Sequence, residues 1–125
     1  MVMLSTENVL RIYEKVMQRT VGLCGVRDRG LLESAVMSCQ QTFDGKEAYP
    51  TVVEKAARLA FAISKNHPFY DGNKRVAVVA MLTMLRLNGV QLQYTQRQLA
   101  CFGLDLADGN LIYSEVRRWV LNTRV

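Results

Sequence analysis

The sequence predicts an all-α protein, a compact bundle of about six helices around one central apolar helix. Three observations predict it. Apolar residues recur at three- and four-residue spacing in one segment after another. Ser, Thr or Asp stands where these segments begin, and Gly, Asn-Gly or Asp-Gly where several of them end. One segment is apolar nearly all round and can only sit in the middle. The 125 residues, half of them apolar, fit one domain over positions 1–125 with enough apolar surface for a real core, and no repeat, linker or low-complexity stretch divides them.

In order along the chain, Ser5 can cap a first helix carrying Val9, Leu10, Ile12, Tyr13, Val16 and Met17, which the glycines at 22 and 25 stop. Asp28 caps a second helix with Leu31, Leu32, Ala35, Val36 and Cys39. The segment FDGKEAYP, Phe43 to Pro50, reads as a loop, and Pro50 with Thr51 opens a third helix with Val52, Val53, Ala56, Leu59, Ala60 and Ile63 inward. From Asn73 to Leu87 runs the nearly all-apolar helix (Val76 to Ala80, Met81, Leu82, Met84, Leu85), ended by Asn88-Gly89. Thr95 caps a fifth helix with Leu99, Phe102 and Leu106, Asp108-Gly109 turns the chain, and Ser114 caps a last helix with Val116, Trp119 and Val120. Strand alternation is weak throughout; Gln91 to Tyr94 and Leu111 to Tyr113 suggest at most a tiny hairpin.

Composition narrows the function. Cys24, Cys39 and Cys101 are odd in number, far apart and without a CxxC pair, so they read as reduced, half-buried fillers and not as a disulfide framework or zinc site. The start, MVMLSTENVL, lacks the basic stretch and apolar core of a signal peptide, and the longest apolar run, Val76 to Leu85, falls far short of a membrane span. A cytoplasmic protein with no membrane role is expected. The net charge of +5 and pI near 9.4 suit a nucleic acid, a nucleotide or an acidic protein partner, but Lys and Arg are scattered in ones and twos, as on ordinary solvated helix faces.

Between two strongly apolar helices stands HPFYDGNKR, residues 67 to 75, which gathers the only histidine, a carboxylate, an amide and two cations into nine positions. A core needs no such cluster. Gly72 to Arg75 open the central helix, where free backbone N–H groups and the positive dipole end favour an anion, phosphate above all. Gly72 allows close backbone approach, Asn73 offers an amide hydrogen, and Lys74 and Arg75 add charge. Asp71 is one hard oxygen ligand for a Mg²⁺ that arrives with a nucleotide. His67 can take the proton of an attacking hydroxyl. Phe69 is expected to point inward and anchor the loop. No GxxxxGK[ST] or GxGxxG loop competes for the nucleotide.

The loop resembles the Fic/Doc family signature HPFxxGNGRxxR: His67, Pro68, Phe69, Gly72, Asn73 and Arg75 match it, and Asp71 fills the acidic position. Likeness to the Doc branch, the death-on-curing toxins, extends over nearly the whole chain, through GVRDRGLLESAV and the apolar helix ending in LRLNGVQ. The AMP-transferring pattern has Gly where Lys74 stands and a second Arg where Val78 stands, and both departures point to Doc. The resemblance implies transfer of the γ-phosphate of ATP to a protein Ser or Thr hydroxyl, on a translation elongation factor in the known case. It makes His67 the base, Asp71 the magnesium ligand, and Gly72, Asn73, Lys74 and Arg75 the phosphate and nucleotide site. Gly72 differs from the alanine that the resemblance leads one to expect in Doc, a departure that should be tolerated. The loop Phe43 to Pro50 corresponds to the flap that docks the target, although a plain solvated connector reads equally well. The inhibitory [S/T]xxxE[G/N] motif of self-silencing Fic proteins is missing, so silencing falls to an antitoxin of the Phd kind.

Two other readings stand beside this one. The first keeps the family and transfers AMP or another nucleotide moiety. The second is a non-catalytic basic binding module, from the helix-turn-helix-like run Thr95 to Trp119. Its turn, Ala107 to Asn110, leads into no helix rich in base-reading residues, so direct nucleic-acid binding is not expected.

Overall fold

The computed structural model describes residues 1–18 and 25–125. Its elements are α1 (Thr6–Met17), α2 (Arg29–Ser38), a two-stranded antiparallel hairpin β1 (Thr42–Phe43) and β2 (Lys46–Glu47), α3 (Val52–Asn66), α4 (Asn73–Leu87), α5 (Gln96–Ala107) and α6 (Tyr113–Thr123). Among the described residues, six helices and one minimal sheet make an all-α bundle, as the periodicity predicts.

The start signals act as read. The side chains of Ser5, Asp28, Thr51 and Thr95 accept backbone N–H bonds from the first turns they precede, and Glu54 and Gln98 return the bond to Thr51 and Thr95 as capping boxes. Ser114 is an exception. It lies inside α6, and the capping position is instead Ile112, whose N–H donates to the Glu115 carboxylate at 3.1 Å. The hairpin is misplaced in the sequence reading too. It forms at 42–47, where Asp44 (φ +51) and Gly45 (φ +76) supply the two left-handed residues of a tight turn. Leu92 makes only an isolated bridge to Arg124, and Tyr113 starts a helix. Gly22 and Cys24 lie outside the described residues. Of the other cysteines, Cys39 is buried and Cys101 exposed, so neither is a half-buried filler.

α4 is central, but it shares the centre with α3. α3 packs against α2, α4, α5 and α6, while α4 packs against α1, α3 and α5. Small residues let the pair approach: Ala56, Ala57 and Ala60 of α3 and Ala77 and Ala80 of α4 are fully buried beside Leu59, Ile63, Met81 and Met84. The apolar positions of α5 and α6 serve the same core. Phe102 stacks on Trp119 with ring centroids 4.3 Å apart, and Leu106, Val116 and Val120 are buried. Among the described residues no helix is long and apolar enough to cross a membrane. The α3–α4 pair aims its connecting loop, residues 67 to 72, at one end of the bundle.

Candidate active site

The loop begins with strain. α3 ends at His67, which takes the left-handed conformation (φ +48, ψ +58) and closes the helix by donating its N–H to Ile63 O at 3.2 Å. A residue with a β-carbon costs about 1–2 kcal/mol in that region, so the neighbours must hold it there. They do so from three sides.

From α1, Tyr13 stacks on Phe69 with centroids 4.2 Å apart and planes 9° from parallel, and its hydroxyl accepts the Gly25 N–H. Phe69 is almost completely buried, as expected for the loop's anchor. From the segment before α2, Arg27 and Asp28 both donate their N–H groups to Pro68 O, at 2.7 and 3.0 Å, and Tyr70 donates to Gly25 O at 3.2 Å, so that Val26 and Phe69 pair as an antiparallel bridge. From α4, the Asn73 amide donates to Phe69 O at 2.9 Å and accepts the Phe69 N–H at 3.0 Å.

That last pair gives Asn73 a structural part besides the one read for it. Its amide oxygen and one amide hydrogen are committed to the backbone of Phe69, which leaves a second amide hydrogen and the main-chain N–H for an anion. Gly72 is held by its own backbone. With φ +86 it lies where side chains are strained, and a β-carbon there would stand 2.8 Å from the Met17 sulfur, so glycine fits this turn better than alanine would.

The first intrahelical bond of α4 runs from Val76 N–H to Gly72 O at 2.9 Å, so the main-chain N–H groups of Asn73 to Arg75 precede the helical ladder. Successive helical residues point about 100° apart, and the two cations diverge accordingly. Lys74 is half-buried: a β-carbon on Gly103 of α5 would touch its Cδ at 3.7 Å, so its stem runs along α5. Arg75 is exposed and joins Lys15, Val16, Val78 and Val79 around a groove between α1 and α4. Asp71 is exposed at the entrance of α4. Among the described residues no three His, Cys, Asp or Glu side chains cluster as a metal cage, and a lone carboxylate fits a magnesium ion shared with nucleotide phosphates.

His67 is exposed, and beside it a cavity of about 340 Å³ is lined by Phe61, Ser64 and Lys65 of α3 and by Leu106, Ala107, Gly109, Leu111 and Ile112 from the α5–α6 connection. The site thus brings an accessible imidazole, an open helix N-terminus, two cations and a carboxylate to one end of the bundle.

A sequence model described as the Fic/DOC family matches residues 3–85, which run from before α1 through the loop into α4. The protein kinase doc of Escherichia phage P1 is 31% identical over 113 residues, 90% of this chain and 88% of that protein. The chain belongs to the Fic/Doc family. A further relative, the toxin Doc of Mycolicibacterium smegmatis, is 51% identical over 67 residues, 54% of this chain, and the match spans about half of that protein's length (52%).

Two kinds of residue escaped the motif. Arg27 reaches the loop from 40 positions away, and Gly103 makes room for Lys74 from α5. The signal for Arg27 was its place in the Doc-like segment GVRDRGLLESAV, one position before a helix cap, which gives no hint of its reach to the loop; a glycine inside an otherwise amphipathic helix was the visible trace of Gly103.

Proposed function

We propose that this Fic/Doc protein is a toxin-like enzyme that moves the γ-phosphate of ATP onto a Ser or Thr hydroxyl of a target protein, and that an antitoxin supplied as a separate chain silences it. The observation that carries the reading is His67 standing before the open N-terminus of α4, where Lys74 replaces the usual glycine with its stem laid on Gly103. A helix N-terminus favours phosphate. A lysine side chain at this position fills space that glycine leaves open, which supports placing the terminal phosphate, and not the α-phosphate, at the reacting position.

The acceptor oxygen bonds to the γ-phosphorus as the bond from that phosphorus to the β–γ bridging oxygen breaks. ADP leaves with the electron pair, and His67 takes the hydroxyl proton. Gly72, Asn73, Lys74 and Arg75 form the phosphate site through main-chain N–H groups and charge. Asp71 would hold Mg²⁺, whose chemistry there is to neutralise phosphate charge. The hairpin β1–β2 is exposed along its whole length, Phe43 included, and presents unpaired strand edges on which an acceptor segment can dock. A translation elongation factor is the acceptor that the family resemblance suggests. An antitoxin segment of the Phd kind would find in the α1–α4 groove an apolar wall, including exposed Val79, with Arg75 at its side.

The test is transfer of label to lysate proteins with Mg²⁺, using ATP labelled at either the γ- or the α-phosphate. The expected result is one band labelled from the γ-position only, lowered at least about a hundredfold by His67→Ala. Label from the α-position would instead make the reaction nucleotidyl transfer, and no His67-dependent label from either would remove the enzyme reading.

A further inference from the structure

We infer that Arg27 is a positioning residue for His67: its guanidinium fixes both peptide planes that flank the His67 Cα and thereby aims the imidazole. The inference rests on reading His67 as the base.

Arg27 Nε donates to His67 O at 2.8 Å, and its Nη2 donates to Asn66 O at 3.0 Å. The Asn66 carbonyl belongs to the peptide plane before the His67 Cα and the His67 carbonyl to the plane after it. Rotation about φ of His67 moves one plane relative to the other at the N–Cα bond, and rotation about ψ does so at the Cα–C bond. A rigid fork that grips both oxygens therefore locks both torsions, and with them the direction of the Cα–Cβ bond that carries the ring.

The location suits a cation. α3 ends here, with carbonyls left outside its ladder and the negative end of its dipole. It is also the point where restraint is most needed, because His67 has the left-handed torsions of φ +48 and ψ +58. The other bonds that hold the loop begin one residue later: Pro68 O receives the N–H groups of Arg27 and Asp28, and Phe69 is held by Asn73. His67 donates its own N–H back to Ile63, and among the described residues the fork is what ties its two flanking carbonyls to α2's approach segment. Removing the side chain consequently leaves the backbone clamp on Pro68 and Phe69 intact.

Arg27→Ala and Arg27→Lys test this together. Lysine keeps the charge at the helix end but serves as a single point donor and cannot span two carbonyls. Both variants are expected to lower kcat for His67-dependent phosphate transfer about tenfold to a hundredfold, with KM for ATP within about twofold of the original, because the ring is misaimed while the phosphate site is untouched. A readout independent of activity is the ¹³Cα and ¹³Cβ shift pair of His67, expected to be that of a left-handed residue in the native chain and to move toward conformational averaging in Arg27→Ala, while the Phe69 amide resonance stays in place. Native kcat in Arg27→Lys would overturn the inference by showing that charge alone suffices, as would His67 shifts that do not respond to Arg27→Ala. Should the native chain show no His67-dependent transfer, the base reading falls, and the His67 shifts still decide whether Arg27 sets that residue.

Discussion

Gly72 enters α4 with φ +86, and a β-carbon built on it would lie 2.8 Å from the Met17 sulfur. The sulfur sits near the end of a flexible side chain and can swing away, so the backbone angle is the larger obstacle. Gly72→Ala is expected to destabilise the protein by about 1–2 kcal/mol, seen as a lower urea midpoint; an unchanged midpoint would mean that the turn tolerates other torsions. Asn73 makes a sharper case. Its amide grips both polar groups of Phe69, so Asn73→Asp keeps an acceptor for the Phe69 N–H and presents a second oxygen to the Phe69 carbonyl. Loop geometry, and with it kcat, should suffer, together with about 1–3 kcal/mol of stability, while KM for ATP shifts little. A rise in KM for ATP with unaltered stability would instead place the amide on phosphate. At this scale the sequence was legible where a residue's neighbours in the chain explain it: His67, Asp71 and the two cations fall within nine positions. It was illegible where the partner is remote. Nothing local says that Asn73 serves Phe69, that Met17 crowds Gly72, or that Arg27 reaches across 40 positions to His67.

Helices and hairpin carry two further tests. Gly103 sits inside α5, where glycine costs helix stability, yet the space over it is filled by the Lys74 stem, with Cδ 3.7 Å from a would-be β-carbon and Val78 Cγ2 at 4.0 Å. Those are ordinary contact distances. Gly103→Ala should therefore stabilise the protein by about 0.4–1 kcal/mol without loss of transfer, whereas Gly103→Leu should displace Lys74 and lower transfer; equal activity in the leucine variant would separate Lys74's function from its bed on α5. The hairpin has a hidden anchor. Lys55 of α3 is 4% exposed, and its ammonium donates to Cys39 O at 3.3 Å and to Glu47 of β2 at 2.9 Å. Glu47→Ala would leave that buried charge with a carbonyl alone, so a loss of about 1–3 kcal/mol is expected, along with faster proteolysis between α2 and α3. Glu33→Ala, which breaks only the exposed pair with Arg29, should leave the denaturation midpoint nearly where it was. The caps of four helices were readable because they are written in adjacent residues. The hairpin was not, since FDGKEAYP reads as a loop by composition, and its tether is a lysine that looks solvent-facing in the helical pattern of α3.

Across the whole molecule, the α3–α4 pair forms the centre and α6 closes over the start of α3. The contact between α6 and α3 supplies a measurement on the complete fold. Tyr113 donates its hydroxyl to Glu54 O at 3.3 Å and meets the edge of Tyr49, with centroids 5.1 Å apart. Burial first, then the nearby Glu54 carboxylate, push its pKa from 10.0 up to about 12. The neutral phenol is thus the form the fold prefers. A group whose pKa is raised by folding adds stability that is complete below its unfolded pKa and is lost as pH climbs through the folded one. Tyr113 therefore contributes fully below about pH 10, and its contribution disappears between about 10 and 12. The informative quantity is a difference between two proteins that differ at this group alone. Urea midpoints of the native chain and of Tyr113→Phe, measured at pH 9 and again near pH 11, should converge or cross, the native chain losing more because only it must ionise a half-buried phenol beside Glu54. Parallel declines in the two proteins would mean that α6 opens before Tyr113 ionises, and that its packing on α3 is local and not part of the cooperative unit.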